Sequence, residues 1–298
     1  MKYHIVLIAA LLIFSCNNKK EQSTELLNNT PDTSTNNESF EEVLPFDSIY
    51  SSSDVEFGKT KSVVIKRQNL INKKDDKEEL QNLIIQKTFK KEEDLYLIDF
   101  TYPLLNEKTN ASYSNFNEYL EETYMDIAGV EASILEDKEM ICDTLRINRF
   151  KEKRFVDYKV YNLNESLISV LLYKENYYSG TLHPTYSFDC LNFDLKRSVF
   201  MNYDDFFTEG SEEEMTVILN EIISEKINKG EIYYDCWNIS FDDFFEYKNN
   251  FLADESKVEY YFDDCVICPS YTGTYSVEIP MSRVLPLLKN YQFNPLML

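Results

Sequence analysis

Apolar residues recur along the chain with two different periods. Residues 62–66 and 94–103 are rich in β-branched and aromatic side chains and read as strands, with a solvated charge run, 73–79, between them. From 115 to 138 the period changes: Phe116, Leu120, Tyr124, Ile127, Ile134 and Leu135 form a stripe of roughly helical spacing, and Asn115 with Glu118 has capping-box spacing. Residues 154–161 and 167–173 return to the strand pattern, and the short turn 162–166 between them favours antiparallel pairing. A second hairpin runs through 178–184 into a strand at 185–195. There Leu191, Phe193 and Leu195 share one face and Asn192 and Asp194 the other, the alternation of a half-buried strand.

Residues 202–207 read as a helical turn. A helix over 211–229 follows, with Ser211 and Glu214 spaced as a capping box, Met215, Ile218, Leu219, Ile222, Ile223 and Ile227 on one face, and Gly230 at the C-terminal cap. Strands at 257–262 and 274–279 and a short helix from about 282 complete the chain. Strand runs punctuated by helices, without a βαβα rhythm, predict an α+β fold. Antiparallel sheets should pack against a few helices in two consecutive subdomains.

The N-terminus reads as an export signal. Lys2 precedes an unbroken apolar run from Ile5 to Phe14. As a helix, ten residues rise about 15 Å, half a bilayer core, which suits a signal h-region and not a spanning segment. The run ends at Ser15-Cys16, as in a bacterial lipobox. Residues 1–15 are therefore expected to be a lipoprotein signal peptide, with Cys16 acylated and moored to a membrane. Residues 16–56, polar and without a hydrophobic period, are expected to be a disordered tether.

Composition narrows the chemistry. The 298 residues carry 30 Lys and Arg against 52 Asp and Glu, a formal charge of −22, which argues against nucleic-acid binding. A 43% hydrophobic and 14% aromatic content supports a packed core. The only histidines are His4 and His183, and cleavage of the leader leaves His183 alone. A triad, a Cys-His dyad or a one-His zinc site would have to use that residue.

Four blocks resemble the RsiV-type extracytoplasmic domain: Leu167-Ile168-Ser169-Val170, the stretch 177–184 (Tyr-Tyr-Ser-Gly-Thr-Leu-His-Pro), Asn192-Phe193-Asp194-Leu195, and Tyr203-Asp204-Asp205-Phe206-Phe207. The tail fits as well, in 258–262, 268–273 and 277–280. Residues 57–165 resemble the companion domain of PdaC-type peptidoglycan deacetylases, and 166–298 the RsiV-like domain itself. The chain departs from the family at Thr181-Leu182, where small residues usually precede the histidine, and at Arg197-Ser198, where a turn glycine is usual. The resemblance implies ligand recognition at the cell envelope without catalysis or cofactor, since the deacetylase catalytic motifs are absent. The leading expectation for the partner is a cationic, lysozyme-like protein, bound for sensing or inhibition. Peptidoglycan or another glycan, stacked on exposed Tyr and Trp237, is the alternative, and a hydrolase using His183 the third.

The ligand-binding candidates are Tyr178, Ser179, Gly180, His183 and Tyr271. His183 also reads as a turn residue bonding loop backbone before Pro184, since general-base work would need an orienting partner and a nucleophile. Asp189 with Asp194, or Asp204 with Asp205, are the conceivable paired carboxylates, though adjacency in an Asp-rich chain means little. Cys265-Val266-Ile267-Cys268 is a C-x-x-C motif without a second pair of zinc ligands. In an oxidising compartment, Cys236, Cys265 and Cys268 are instead disulfide candidates, with at least one of the C-x-x-C pair bridged to Cys236.

Overall fold

The computed structural model describes residues 70–139 and 151–297, except 164, 180 and 182. The leader, the tether with Cys16, the strand expected at 62–66, Cys142 and Gly180 lie outside the described residues. No helix among the described residues is long and apolar enough to cross a membrane.

The α+β architecture is present. Six strands form one sheet in sequence order: β1 (Ile84–Glu92), β2 (Tyr96–Leu105), β3 (Glu152–Leu163), β4 (Leu167–Tyr177), β5 (Thr185–Asp194) and β6 (Val199–Met201). All neighbours are antiparallel except β2 and β3, which run parallel from Tyr96 opposite Glu152 to Phe100 opposite Val156. A parallel pair needs a crossover, and the helical segments between 106 and 139 belong to it. Strands β7 (Phe251–Ala253), β8 (Lys257–Tyr261) and β9 (Ser276–Pro280) form a second, antiparallel sheet. The boundary expected at 165/166 falls in the β3–β4 turn, so the six-stranded sheet runs across it.

Packing occurs in layers. The crossover side chains Phe116, Leu120, Met125 and Ile134 cover one face of the large sheet, meeting Phe100, Val156, Val170 and Phe193. On the opposite face Leu171, Tyr173, Phe188 and Cys190 pack against Leu252 and Tyr261 of the small sheet. The small sheet's other face, Val258, Tyr260, Val277 and Ile279, buries Leu219, Ile222 and Ile223 of a long helix. Burial on both faces explains why β4 is apolar at six of its first seven positions, as strands covered on both sides are.

The same layering corrects the half-buried reading of β5, because Asn192 (2% exposed) is as buried as Phe193. Asn192 is accommodated by hydrogen bonds. Its carbonyl accepts from Ser169 Oγ at 2.6 Å, and its amide donates to the Phe251 carbonyl at 2.9 Å. A buried amide so paired avoids most of its desolvation penalty.

The single helix expected over 115–138 is broken. A 3-10 turn (Ala111–Tyr113) leads into α1 (Ser114–Glu118), a π-helical segment (Tyr119–Met125), and then α2 (Ile127–Glu139). The break is at Asp126, left-handed at φ 30° and ψ 57°. The wide turn places Leu120 and Met125, five residues apart, both on the sheet. The N-terminal cap is Asn110, whose side chain accepts the Ser112 N–H, and not Asn115.

After the turn α3 (Tyr203–Phe206), which Asn202 and Asp205 close as a capping box, α4 spans Glu212–Asn228 as its apolar spacing predicts. Gly230, at φ 70°, ends it in the left-handed geometry that glycine adopts without penalty. Ser211 does not cap α4. Its hydroxyl donates to the Thr208 carbonyl and sits 2.8 Å from the Tyr203 hydroxyl instead. The helices α5 (Phe241–Tyr247) and α6 (Met281–Val284) flank the small sheet.

Candidate functional site

Two loops meet at the start of β5. The backbone N–H of Tyr186 donates to Asp264 Oδ2 at 3.3 Å, the Asp264 N–H returns to the Tyr186 carbonyl at 3.1 Å, and Asp263 Oδ1 accepts from Phe188 N at 2.8 Å. These bonds hold the segment that opens the C-x-x-C loop against the strand leaving the 178–184 hairpin. Burial of the Asp263 and Asp264 carboxyls pushes both up from the usual aspartate value.

The hairpin tip carries the ligand-binding candidates of the first loop. Tyr178 is exposed, with the Arg154 guanidinium 4.1 Å above its ring. Ser179 is committed to structure: its N–H donates to Glu152 Oε1 at 3.3 Å and its hydroxyl accepts from Lys138 Nζ. His183 is exposed beside Pro184.

The four aspartates weighed as pairs all have structural partners. Asp189 accepts from the Tyr124 hydroxyl at 2.5 Å and pairs with Lys174. Asp194 binds Arg197 across the β5–β6 turn, Asp205 caps α3, and Asp204 lies 3.4 Å from Lys248. Among the described residues, no group of three or more His, Cys, Asp or Glu side chains is placed to hold a metal ion.

The second loop is pinned by a disulfide between Cys236 and Cys268. Cys265 is an exposed free thiol, which corrects its place among the disulfide candidates; its φ of 65° belongs to the turn that starts the loop. Around the bridge, Trp237 donates from its backbone N–H to the Ile267 carbonyl (3.0 Å) and from Nε1 to the Val266 carbonyl (2.8 Å). The Tyr271 hydroxyl donates to Asp235, and the Tyr233 ring stands edge-on to Tyr271 at 6.0 Å.

This scaffold fixes an unusual surface. Tyr233, Tyr234, Trp237, Phe241 and Phe245 are all exposed, Tyr234 at 78%. In α5 Phe244 and, partly, Tyr247 turn inward, so Phe241 and Phe245, one turn apart, face solvent together. Residues 231–246 also carry five carboxylates, Glu231, Asp235, Asp242, Asp243 and Glu246, and no Lys or Arg. None of the five is in an ion pair among the described residues; of the two nearest lysines in sequence, Lys229 pairs with Glu225, and Lys248 is engaged by Asp204 and Glu212 and lies 4.5 Å from the Phe245 ring. Spacing alone marks Trp237 and the tyrosines, but it cannot show that Phe241 and Phe245 point outward. A run F-D-D-F-F reads equally well as a buried helix face.

No family model matches the chain, and no curated protein does. Among solved structures, the chain is similar to a member of the DUF3298 family from Bacteroides fragilis. The two are 16% identical, with a TM-score of 0.45, over 70% of this chain and 94% of that one. It is also similar to a DUF3298 family protein from Pseudomonas aeruginosa, 13% identical with a TM-score of 0.48, over 70% of this chain and 93% of that one.

Proposed function

We propose that this protein is a non-catalytic recognition module of the bacterial cell envelope, exported and moored through acylated Cys16, and that it captures a basic, lysozyme-like protein. The observation that carries the reading is the surface at 231–246: five exposed aromatic side chains interleaved with five carboxylates that have no ion-pair partner among the described residues. Aromatic faces and unpaired carboxylates are the two groups that bind Lys and Arg best. A cation over an exposed ring contributes about 0.5–1 kcal/mol and more once water is excluded. Exposed Tyr and Trp held on a rigid scaffold are typical interface anchors, since little side-chain entropy is lost when they engage. The formal charge of −22 supplies long-range attraction to a basic partner.

The experiment is a titration with a basic lysozyme, followed by emission of Trp237, the only tryptophan in the chain. A saturable change that is lost in a Tyr234→Ala, Trp237→Phe variant, followed there by calorimetry, supports the reading. Absence of binding refutes it.

A second reading rests on the same rings. Tyr234 and Trp237 present open faces to which a sugar ring can stack, and a neutral glycan would quench Trp237 with almost no dependence on salt.

A further inference from the structure

A cavity of about 410 Å³ opens between the crossover helices and the large sheet, on elements that the surface at 231–246 does not include. Its floor is apolar, made by Phe100 of β2, Val156 of β3 and Met125 of the π-helical segment. Its polar wall is Arg154, Lys174, Asn176 and, on the exposed side of α2, Ser133. The floor residues are nearly fully buried, and Tyr124, Val130 and Tyr178 add apolar surface nearer the opening. An open cleft of this volume with a few convergent polar groups is one form that a small-molecule site takes.

The backbone around the mouth is specially built. The π-helical turn, rare and often found at functional positions, ends at Asp126 in left-handed geometry. Asp126 then accepts the Gly129 N–H at 3.1 Å, so tightly that a Cβ on Gly129 would lie 2.0 Å from Asp126 Oδ2. A side chain at position 129 would force the Asp126 carboxylate to give up this contact.

Arg154 sets the chemistry. It is 7% exposed, and a guanidinium has five N–H donors. Nη1 serves the carbonyls of Lys153 and Tyr177, and Nη2 donates to Glu152 at 2.7 Å. Nε and one Nη2 hydrogen remain without an acceptor among the described residues, in a side chain that lines the cavity. Lys174 adds a second cation, shared with Asp189 at 3.1 Å. The Asn176 amide is half-buried and has no hydrogen-bond partner among the described residues.

We infer that this cavity binds a small amphipathic carboxylate, its apolar body against Tyr124, Val130 and Tyr178 and its carboxylate on the open edge of Arg154 and on Lys174. A carboxylate fits the two spare guanidinium donors in fork geometry. A dianion such as phosphate is disfavoured because Arg154 and Lys174 are already paired with the Glu152 and Asp189 carboxylates. This site is separate from the proposed recognition surface and stands or falls independently of it.

The test is ligand-observed NMR on the whole protein with octanoate and 3-phenylpropionate, each against the alcohol of the same carbon skeleton, and with inorganic phosphate as competitor. Both acids should bind saturably, about tenfold more tightly than their alcohols, as a charge-assisted hydrogen bond predicts. Phosphate should not displace them. Lys174→Met should weaken both acids about fivefold, its Asp189 partner being solvent-accessible and still bonded to Tyr124. Ser133→Trp, an exposed substitution that plugs the mouth, should abolish binding without lowering the melting temperature. Arg154 itself is a poor probe, since its removal strands the buried Glu152 carboxylate. Equal affinity for acid and alcohol, displacement by phosphate, no binding at all, or unchanged binding in Ser133→Trp would each overturn the inference.

Discussion

Tyr271 and Asp235 close the junction that the Cys236–Cys268 disulfide makes covalent: the phenol donates to the carboxylate from the far loop. That hydrogen bond, aided by some burial, pushes the Tyr271 hydroxyl up to about 12. Asp235→Asn should return one tyrosine to a value near 10, visible in a spectrophotometric alkaline titration. Should the titration curves of the two proteins coincide, the bond does not form in solution.

The disulfide is the second point. It closes a loop across a sequence separation of 32 residues. Replacing both Cys236 and Cys268 by Ser should lower stability by about 3 kcal/mol in urea unfolding. Trp237 emission should shift to the red as its indole loses the Val266 carbonyl. Unchanged emission would mean that the hydrogen bonds hold the loop without the bridge.

A pH dependence follows from Glu259, 5% exposed on β8 between the sheets. Burial works to raise its pKa, yet Lys73 at 2.5 Å, with Lys257 and the Ser276 hydroxyl, holds it below its ordinary 4.5. A carboxyl depressed in the folded state stabilises fully above its unfolded value and loses that contribution as pH falls through the lowered one. The stability gap between the native protein and Glu259→Gln should therefore be constant above pH 4.5 and shrink below it. Lys73→Met should cost about 3 kcal/mol at neutral pH, because the carboxylate it leaves is buried. A gap that widens on acidification would show the pair to be unfavourable.

Ser198 occupies the turn position where the family resemblance calls for glycine, and its backbone has φ 55°. The left-handed turn survives the substitution because Asp194 organises it. The Asp194 carbonyl accepts from Ser198 N at 2.8 Å, and its carboxylate accepts from the N–H groups of Lys196 and Arg197, each at 2.8 Å. Ser198→Gly should relieve the conformational penalty and raise stability by about 0.5 kcal/mol, the freer unfolded chain offsetting part of the gain. A destabilised variant would mean that the Asn110 contact to the Ser198 hydroxyl outweighs the strain.

These residues also show what the sequence makes legible. Helix α4 is readable because its burial follows one period and ends at a glycine that must be left-handed. Strand β1, Ile84–Glu92, is not. It is an edge strand with only Ile84 buried, and its lysines protect an open edge and erase the alternation that would announce it. The break at Asp126 has no glycine or proline to mark it, and it depends on a sheet partner that local spacing cannot supply. At the candidate site, the bridge between Cys236 and Cys268 is among the open pairings, whereas the outward turn of Phe241 and Phe245 depends on Phe244 and Tyr247 facing the core. The cavity at Arg154 joins four segments of the chain and has no sequence signature.

The central claim, that an anionic aromatic surface captures a basic protein, is tested most directly by stopped-flow association with a basic lysozyme at about 10 mM and about 1 M salt, where the Debye length falls from about 30 Å to about 3 Å. The account predicts an association rate at least tenfold slower at the higher salt, with the difference reduced in Asp242→Asn, Asp243→Asn. No saturable association at either salt, or the same rate at both, would contradict it.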